Sequence, residues 1–156
     1  MVTISSNYKS IFEPNQYPLK PGVKLIEASA GTGKTFALAH LVLRLVVEEG
    51  ISIKELLIVT FTESAASELK TRVINRLEIA LKAIIDIEKG LKTSLPDTII
   101  EEWIKNNRLI KEERNNIVGL ILLALEEIDQ ADITTIHGFG KRTLERESIE
   151  SGSIFR

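Results

Sequence analysis

The sequence predicts an α/β domain, a parallel β-sheet flanked by helices. Two observations predict it. Three short apolar runs, at residues 23–28, 56–61 and 132–136, are rich in strand formers and too short for stable helices. Each is followed by a segment with helical periodicity, and strands alternating with helices pack as a parallel sheet covered by those helices. Three strands are few for a doubly wound sheet of 156 residues, so the sheet reads as incomplete.

Residues 1–22 hold three of the four prolines (Pro14, Pro18, Pro21) and little periodicity, which suggests an extended lead-in. The first strand is expected at Val23–Ala28. A helix should follow from Thr35 to about Glu49, with Gly50 as the residue that stops it. Leu56–Phe61 is the second strand, and Thr62 is placed to cap the next helix. From Glu63 to Lys89 there is no Gly or Pro, and Ala65, Leu69, Val73, Leu77, Ala80 and Ile84 share one face. Gly90 ends that long amphipathic helix. A shorter helix opens at Ser94-Leu95-Pro96-Asp97 and runs towards Lys105, and another spans about Lys111 to Gln130. Asp132–Ile136 is the third strand and Phe139–Ile149 the final helix.

The first strand runs into Glu27-Ala28-Ser29-Ala30-Gly31-Thr32-Gly33-Lys34-Thr35. Strand, glycine-containing turn and helix start are the setting a phosphate-binding loop requires. Gly31 and Gly33 allow a tight turn that aims successive N–H groups at one anion, and the helix dipole adds to the attraction. Lys34 would reach the β and γ phosphates of a nucleoside triphosphate, and the Thr35 hydroxyl would ligate Mg²⁺. The phosphate cradle is thus expected at Ala28, Ser29, Ala30, Gly31, Thr32, Gly33, Lys34 and Thr35, with Lys34 and Thr35 carrying the chemistry. The general pattern begins with Gly where this chain has Ala28.

Composition narrows the class. Hydrophobic residues make up 44% and charged residues 27%, as expected of a globular chain rather than a disordered one. Aromatics are only 5%, so the core must be mainly aliphatic. Cysteine is absent, which removes disulfides and Cys-based metal sites, and His40 and His137 are too far apart in sequence to suggest a His-rich one. No apolar run approaches the roughly 20 residues needed to span a bilayer, and no signal peptide is visible; a cytoplasmic location is the expectation. The net charge of −2 is not that of a dedicated nucleic-acid binder, although a motor that contacts few phosphates at a time does not need a basic surface.

Two further segments line up behind the loop. Thr60-Phe61-Thr62-Glu63-Ser64-Ala65-Ala66-Ser67-Glu68-Leu69-Lys70-Thr71-Arg72-Val73 resembles motif Ia of superfamily 1 (UvrD/Rep-like) DNA helicases, T-F-T-x-x-A-A-x-E-[LM]-x-x-R-[VI]. Thr134-Thr135-Ile136-His137-Gly138-Phe139 resembles their motif Ib, T-x-H-x-F. Within the superfamily the chain is similar to the RecB family, the β subunits of exodeoxyribonuclease V. The likeness rests on Leu25–Thr35, on the lead-in Phe12-Glu13-Pro14 and on Glu150-Ser151-Gly152-Ser153-Ile154-Phe155. That family also has Ala at the position of Ala28.

The resemblance implies a RecA-like P-loop NTPase fold, with residues 23–156 as the N-terminal part of motor domain 1A and residues 90–130 as a helical insertion. It implies ATP and Mg²⁺ as cofactors, single-stranded DNA and duplex ends as substrates, and RecC- and RecD-like subunits as partners. DNA would be gripped at strand ends: Phe61 by stacking on a base, and Thr60, Thr62, Thr135 and His137 through phosphate oxygens. Lys70 and Arg72 would add backbone charge. His40 reads as structural and Trp103 as an anchor for the helical insertion. Gln16 lies upstream of the loop, outside the L-N-x-x-Q setting in which relatives read adenine. The D-E-x-x motif that would hold Mg²⁺ and the attacking water is missing, because Glu126-Glu127-Ile128-Asp129 falls on a helix and not at a strand end. The expectation is therefore an incomplete first motor domain that has no turnover by itself. A P-loop module of another class, or a remnant without turnover, remains the alternative.

Overall fold

Gly50 and Gly90 stop two helices where the sequence places them, and both adopt the left-handed conformation at φ 66°. The computed structural model describes residues 2–6, 8–28, 33–91, 97–106 and 111–150. Its elements are β1 (Val2–Ser6), β2 (Tyr8–Ile11), β3 (Ile26–Ala28), α1 (Lys34–Glu48), β4 (Leu57–Thr60), α2 (Glu63–Glu88), α3 (Thr98–Asn106), α4 (Lys111–Glu126), β5 (Asp132–Thr135) and α5 (Ile136–Glu150). At the end of α2 the Gly90 amide donates to the Ile87 carbonyl and the Leu91 amide to that of Asp86, which satisfies two orphan carbonyls. Thr62 caps its start as expected, its hydroxyl oxygen accepting from the Ala65 amide at 3.1 Å. The opening of the predicted 94–105 helix, Ser94-Leu95-Pro96, lies outside the described residues, as does Ser151–Phe155.

The strands pair differently from the expected single parallel sheet. Among the described residues only β4 and β5 pair in parallel, from Leu57 opposite Asp132 to Thr60 opposite Thr135. β3, the strand that leads into the phosphate loop, pairs antiparallel with β1, and β1 pairs antiparallel with β2. The lead-in is thus partly sheet. Its strands are short and run into polar residues, so their alternation is weak in the sequence.

The main core lies between α1, α2 and α4 and takes in Leu43, Val73, Leu77, Ile84 and Ile121, all essentially fully buried. Ile58 and Ile133 bring β4 and β5 against it. Ile100 and Trp103 of α3 enter the same core. A smaller cluster of Phe12, Tyr17 and Ala37 seats the lead-in on α1, with the Phe12 and Tyr17 rings tilted at 54° and 5.3 Å apart.

Polar side chains run along the buried face of α1. Arg44 donates to Glu48 through two nitrogens, each at 2.8 Å, and to the carbonyls of Pro14 and Tyr17. His40 has no exposed surface. Its Nε2 faces Asn15 Oδ1 at 2.7 Å, and its Nδ1 accepts from Arg76 Nε at 2.9 Å. Burial, with the positive charges of Arg76 and then Arg44, pulls its pKa from 6.5 down to about 3. The folded protein therefore holds His40 neutral.

That depression has a measurable consequence. As pH falls below 6.5 the unfolded chain takes up the proton and the folded one does not, so stability present above pH 6.5 is lost on the way down towards 3. Between pH 7.5 and pH 5 the loss attributable to this group should be about 2 kcal/mol. Urea unfolding midpoints across that window check it, with His40→Gln expected to flatten the slope. A wild-type slope no steeper than that of the variant would contradict a neutral, buried His40.

Candidate nucleotide and nucleic-acid site

The start of α1 is built to attract an anion. β3 ends at Ala28 and α1 begins at Lys34, so the expected phosphate loop is flanked by a strand before it and a helix after it. Ser29, Ala30, Gly31 and Thr32 lie outside the described residues. Gly33 occupies the N-cap at φ 89°, a conformation costly for any side chain, and supplies no side-chain cap. The first turn of α1 has no acidic residue, so no carboxylate of that turn offsets the positive end of its dipole. Lys34 is exposed and Thr35 half-buried at that end. An ammonium and a hydroxyl there suit a phosphate and the Mg²⁺ that accompanies it. Among the described residues no cluster of three or more His, Cys, Asp or Glu could hold a metal by itself.

The second feature is the paired ends of β4 and β5. Thr60 and Thr135 are register partners, so the turns into α2 and α5 lie side by side. Phe61 protrudes there with 87% of its surface exposed, too wet for a core residue. Thr62 uses its oxygen in the cap and keeps its own proton to donate. His137 is exposed in the first turn of α5.

Two of the expected hydroxyls are engaged within the protein instead. Thr60 Oγ1 donates to the Thr62 carbonyl at 3.0 Å. Thr135 is buried; its Oγ1 donates to Glu63 Oε1 at 2.9 Å and accepts from the Gly138 amide at 3.0 Å. Thr135 thereby ties the starts of α2 and α5 together. Gly138 is needed for the same fit, since a Cβ there would lie 2.7 Å from Thr134 Oγ1 and 3.1 Å from Thr135 Oγ1.

The charged candidates are partnered at the surface. Lys70 pairs with Asp129 and Arg72 with Glu68, each at 2.8 Å, and exposed pairs of this kind exchange readily for other anions. Glu127 holds Lys54 at 2.6 Å. Gln16 sits exposed in the turn after Pro14.

Sequence reasoning missed the group just behind Thr35. Arg76 of α2 lies with its guanidinium carbon 4.5 Å from the centroid of the Phe36 ring, bonds His40 and forms an ion pair with Asp97. The signal was there: Arg76 falls on the buried stripe between Val73 and Ala80, where a charge must find partners.

The chain matches the UvrD/REP helicase N-terminal domain family over residues 14–154. It is similar to the RecBCD enzyme subunit RecB of Escherichia coli (strain K12), at 36% identity over 96% of this chain and 12% of that protein. The corresponding subunit of Chlamydia trachomatis is 38% identical over 86% of this chain and 13% of its own length. That of Mycolicibacterium smegmatis is 34% identical over 83% of this chain and 11% of its own. The chain thus spans about an eighth of the length of these relatives.

Proposed function

Because this chain belongs to the UvrD/REP helicase N-terminal domain family and has RecB N-terminal segments among its relatives, we propose that it is the ATP-binding N-terminal segment of a RecB-like helicase subunit. The observation that carries this reading is the pairing of two features. A helix start with a glycine N-cap and no acidic residue in its first turn follows β3, and the joined ends of β4 and β5 present Phe61 and His137.

In this reading the loop from Ala28 to Thr35 cradles the phosphates of ATP. Lys34 neutralises the β and γ phosphates, and Thr35 holds Mg²⁺ through its hydroxyl. Held there, Mg²⁺ would supply positive charge against the anion that develops during phosphoryl transfer. Single-stranded DNA crosses the strand ends with a base stacked on Phe61 and phosphates against Thr62 and His137, while Thr135 positions the two turns. Thr60 contributes through its backbone geometry and, when the Thr62 carbonyl releases it, through its hydroxyl.

The complete protein then opens duplex ends in recombinational repair, with nuclease activity and RecC- and RecD-like partners, in the cytoplasm. The segment alone does not turn over ATP, because the D-E-x-x carboxylates and the γ-phosphate arginines are not among its residues. Among the described residues no helix is long and apolar enough to cross a membrane. A P-loop module of another class would account for Lys34 and Thr35 but leaves an exposed Phe61 unexplained.

The test is ATP hydrolysis by the full-length protein with and without single-stranded DNA. Strong stimulation is expected. Phe61→Ala should weaken DNA binding by about 1–3 kcal/mol, which appears as a higher DNA concentration for half-maximal stimulation. Hydrolysis indifferent to DNA would reject the motor reading, and unchanged DNA affinity in a folded Phe61→Ala protein would reject the stacking role.

A further inference from the structure

We propose that Arg76 is a positioning residue that couples the phosphate-loop helix α1 to the helix α2 behind Phe61. The inference rests on the reading of those two places as nucleotide and DNA sites. Both helices begin at a site, α1 at Lys34 and α2 at Glu63, and they pack against each other in one core.

Arg76 is where they are joined by directional contacts. It is buried, and its Nε donates to His40 Nδ1 at 2.9 Å across the interface. Its guanidinium lies over the Phe36 ring, one residue beyond Thr35. Nη1 pairs with Asp97, whose Oδ1 accepts from the Ile100 amide at the start of α3. His40 in turn meets Asn15 of the lead-in, and Asn15 Nδ2 donates to the Ile99 carbonyl at 3.0 Å. A planar cation held by a ring, an imidazole and a carboxylate has few alternative positions, so a shift of the first turn of α1 must carry α2 with it. From Arg76 to the start of α2 is about 20 Å of uninterrupted helix, a rigid lever that ends at Thr62 and Phe61. A merely stabilising role needs no such arrangement, since an apolar residue would fill the stripe at lower desolvation cost.

The experiment is a double-variant cycle in the full-length protein, because spatial continuity alone does not demonstrate coupling. Arg76→Lys keeps the charge but not the planar stack; Phe36→Leu keeps every ion pair. The readout is the ratio of ATP turnover at saturating single-stranded DNA to turnover without DNA. DNA affinity and the thermal midpoint are followed in parallel. Each single variant should lower the ratio by about fivefold or more, and the double variant should lower it no further. DNA affinity should stay within about twofold of wild type.

An unchanged ratio in either folded variant overturns the proposal, as do losses that multiply in the double variant. If Arg76→Lys does not fold, Phe36→Leu decides alone. A wild-type protein that DNA does not stimulate rejects the functional reading itself. A stimulated wild type with unaffected variants rejects only the coupling.

Discussion

Lys34→Ala in the full-length protein is expected to lower ATP turnover by at least about 100-fold, the scale of losing one preorganised charge at a developing anion. Lys34 opens α1 directly after the left-handed Gly33, so its side chain starts at the positive end of the helix and extends from there. The dipole and the backbone amides remain in the variant and should keep part of the nucleotide affinity. What goes is the ammonium that would neutralise the transferred phosphoryl group. Turnover should therefore fall more than binding. Lys54→Ala is the matched control, because Lys54 is an exposed lysine paired with Glu127 away from α1's start. Unchanged turnover in Lys34→Ala, or an equal loss in both variants, would remove the loop assignment.

Trp103→Ala should destabilise the chain by about 3–5 kcal/mol, the largest effect expected of any core truncation here. Trp103 is 1% exposed and is the largest fully buried side chain among the described residues. Its indole Nε1 donates at 2.7 Å to Glu48 Oε1, the carboxylate that also receives Arg44. The variant opens a cavity between α1, α2 and α3 and removes one donor from a half-buried carboxylate. Trp103→Phe separates the two losses, since it fills most of the volume without the N–H, and it should cost about 1–3 kcal/mol. Denaturant unfolding midpoints at constant slope provide the measurement. A shift below about 1 kcal/mol for Trp103→Ala would mean that α3 does not seat in the main core.

Both predictions come from residues singled out in the sequence, though for different reasons. Lys34 is singled out for chemistry because spacing alone carries the motif. Trp103 was legible only as an anchor. That its indole reaches Glu48, an α1 residue 55 positions earlier, depends on where α3 docks.

The strand ends divide in the same way. Phe61 and His137 were read as surface contacts and both are exposed. Thr60 and Thr135 were read identically, yet their hydroxyls are engaged by Thr62, Glu63 and Gly138. No local pattern distinguishes a threonine that faces solvent from one that faces a neighbouring turn.

By itself the sequence determined the helices, their stops at Gly50 and Gly90, the cap at Thr62 and the family, because helical periodicity and capping act within a few residues. Tertiary structure alone decided that β3 pairs with β1 while β5 lies beside β4, and that Arg76 meets Phe36, His40 and Asp97. A strand's hydrogen-bonding edges accept any partner, and a buried charge accepts any counterpart of suitable geometry. Which one arrives is settled by the packing of α1 on α2, through contacts between residues far apart in the chain.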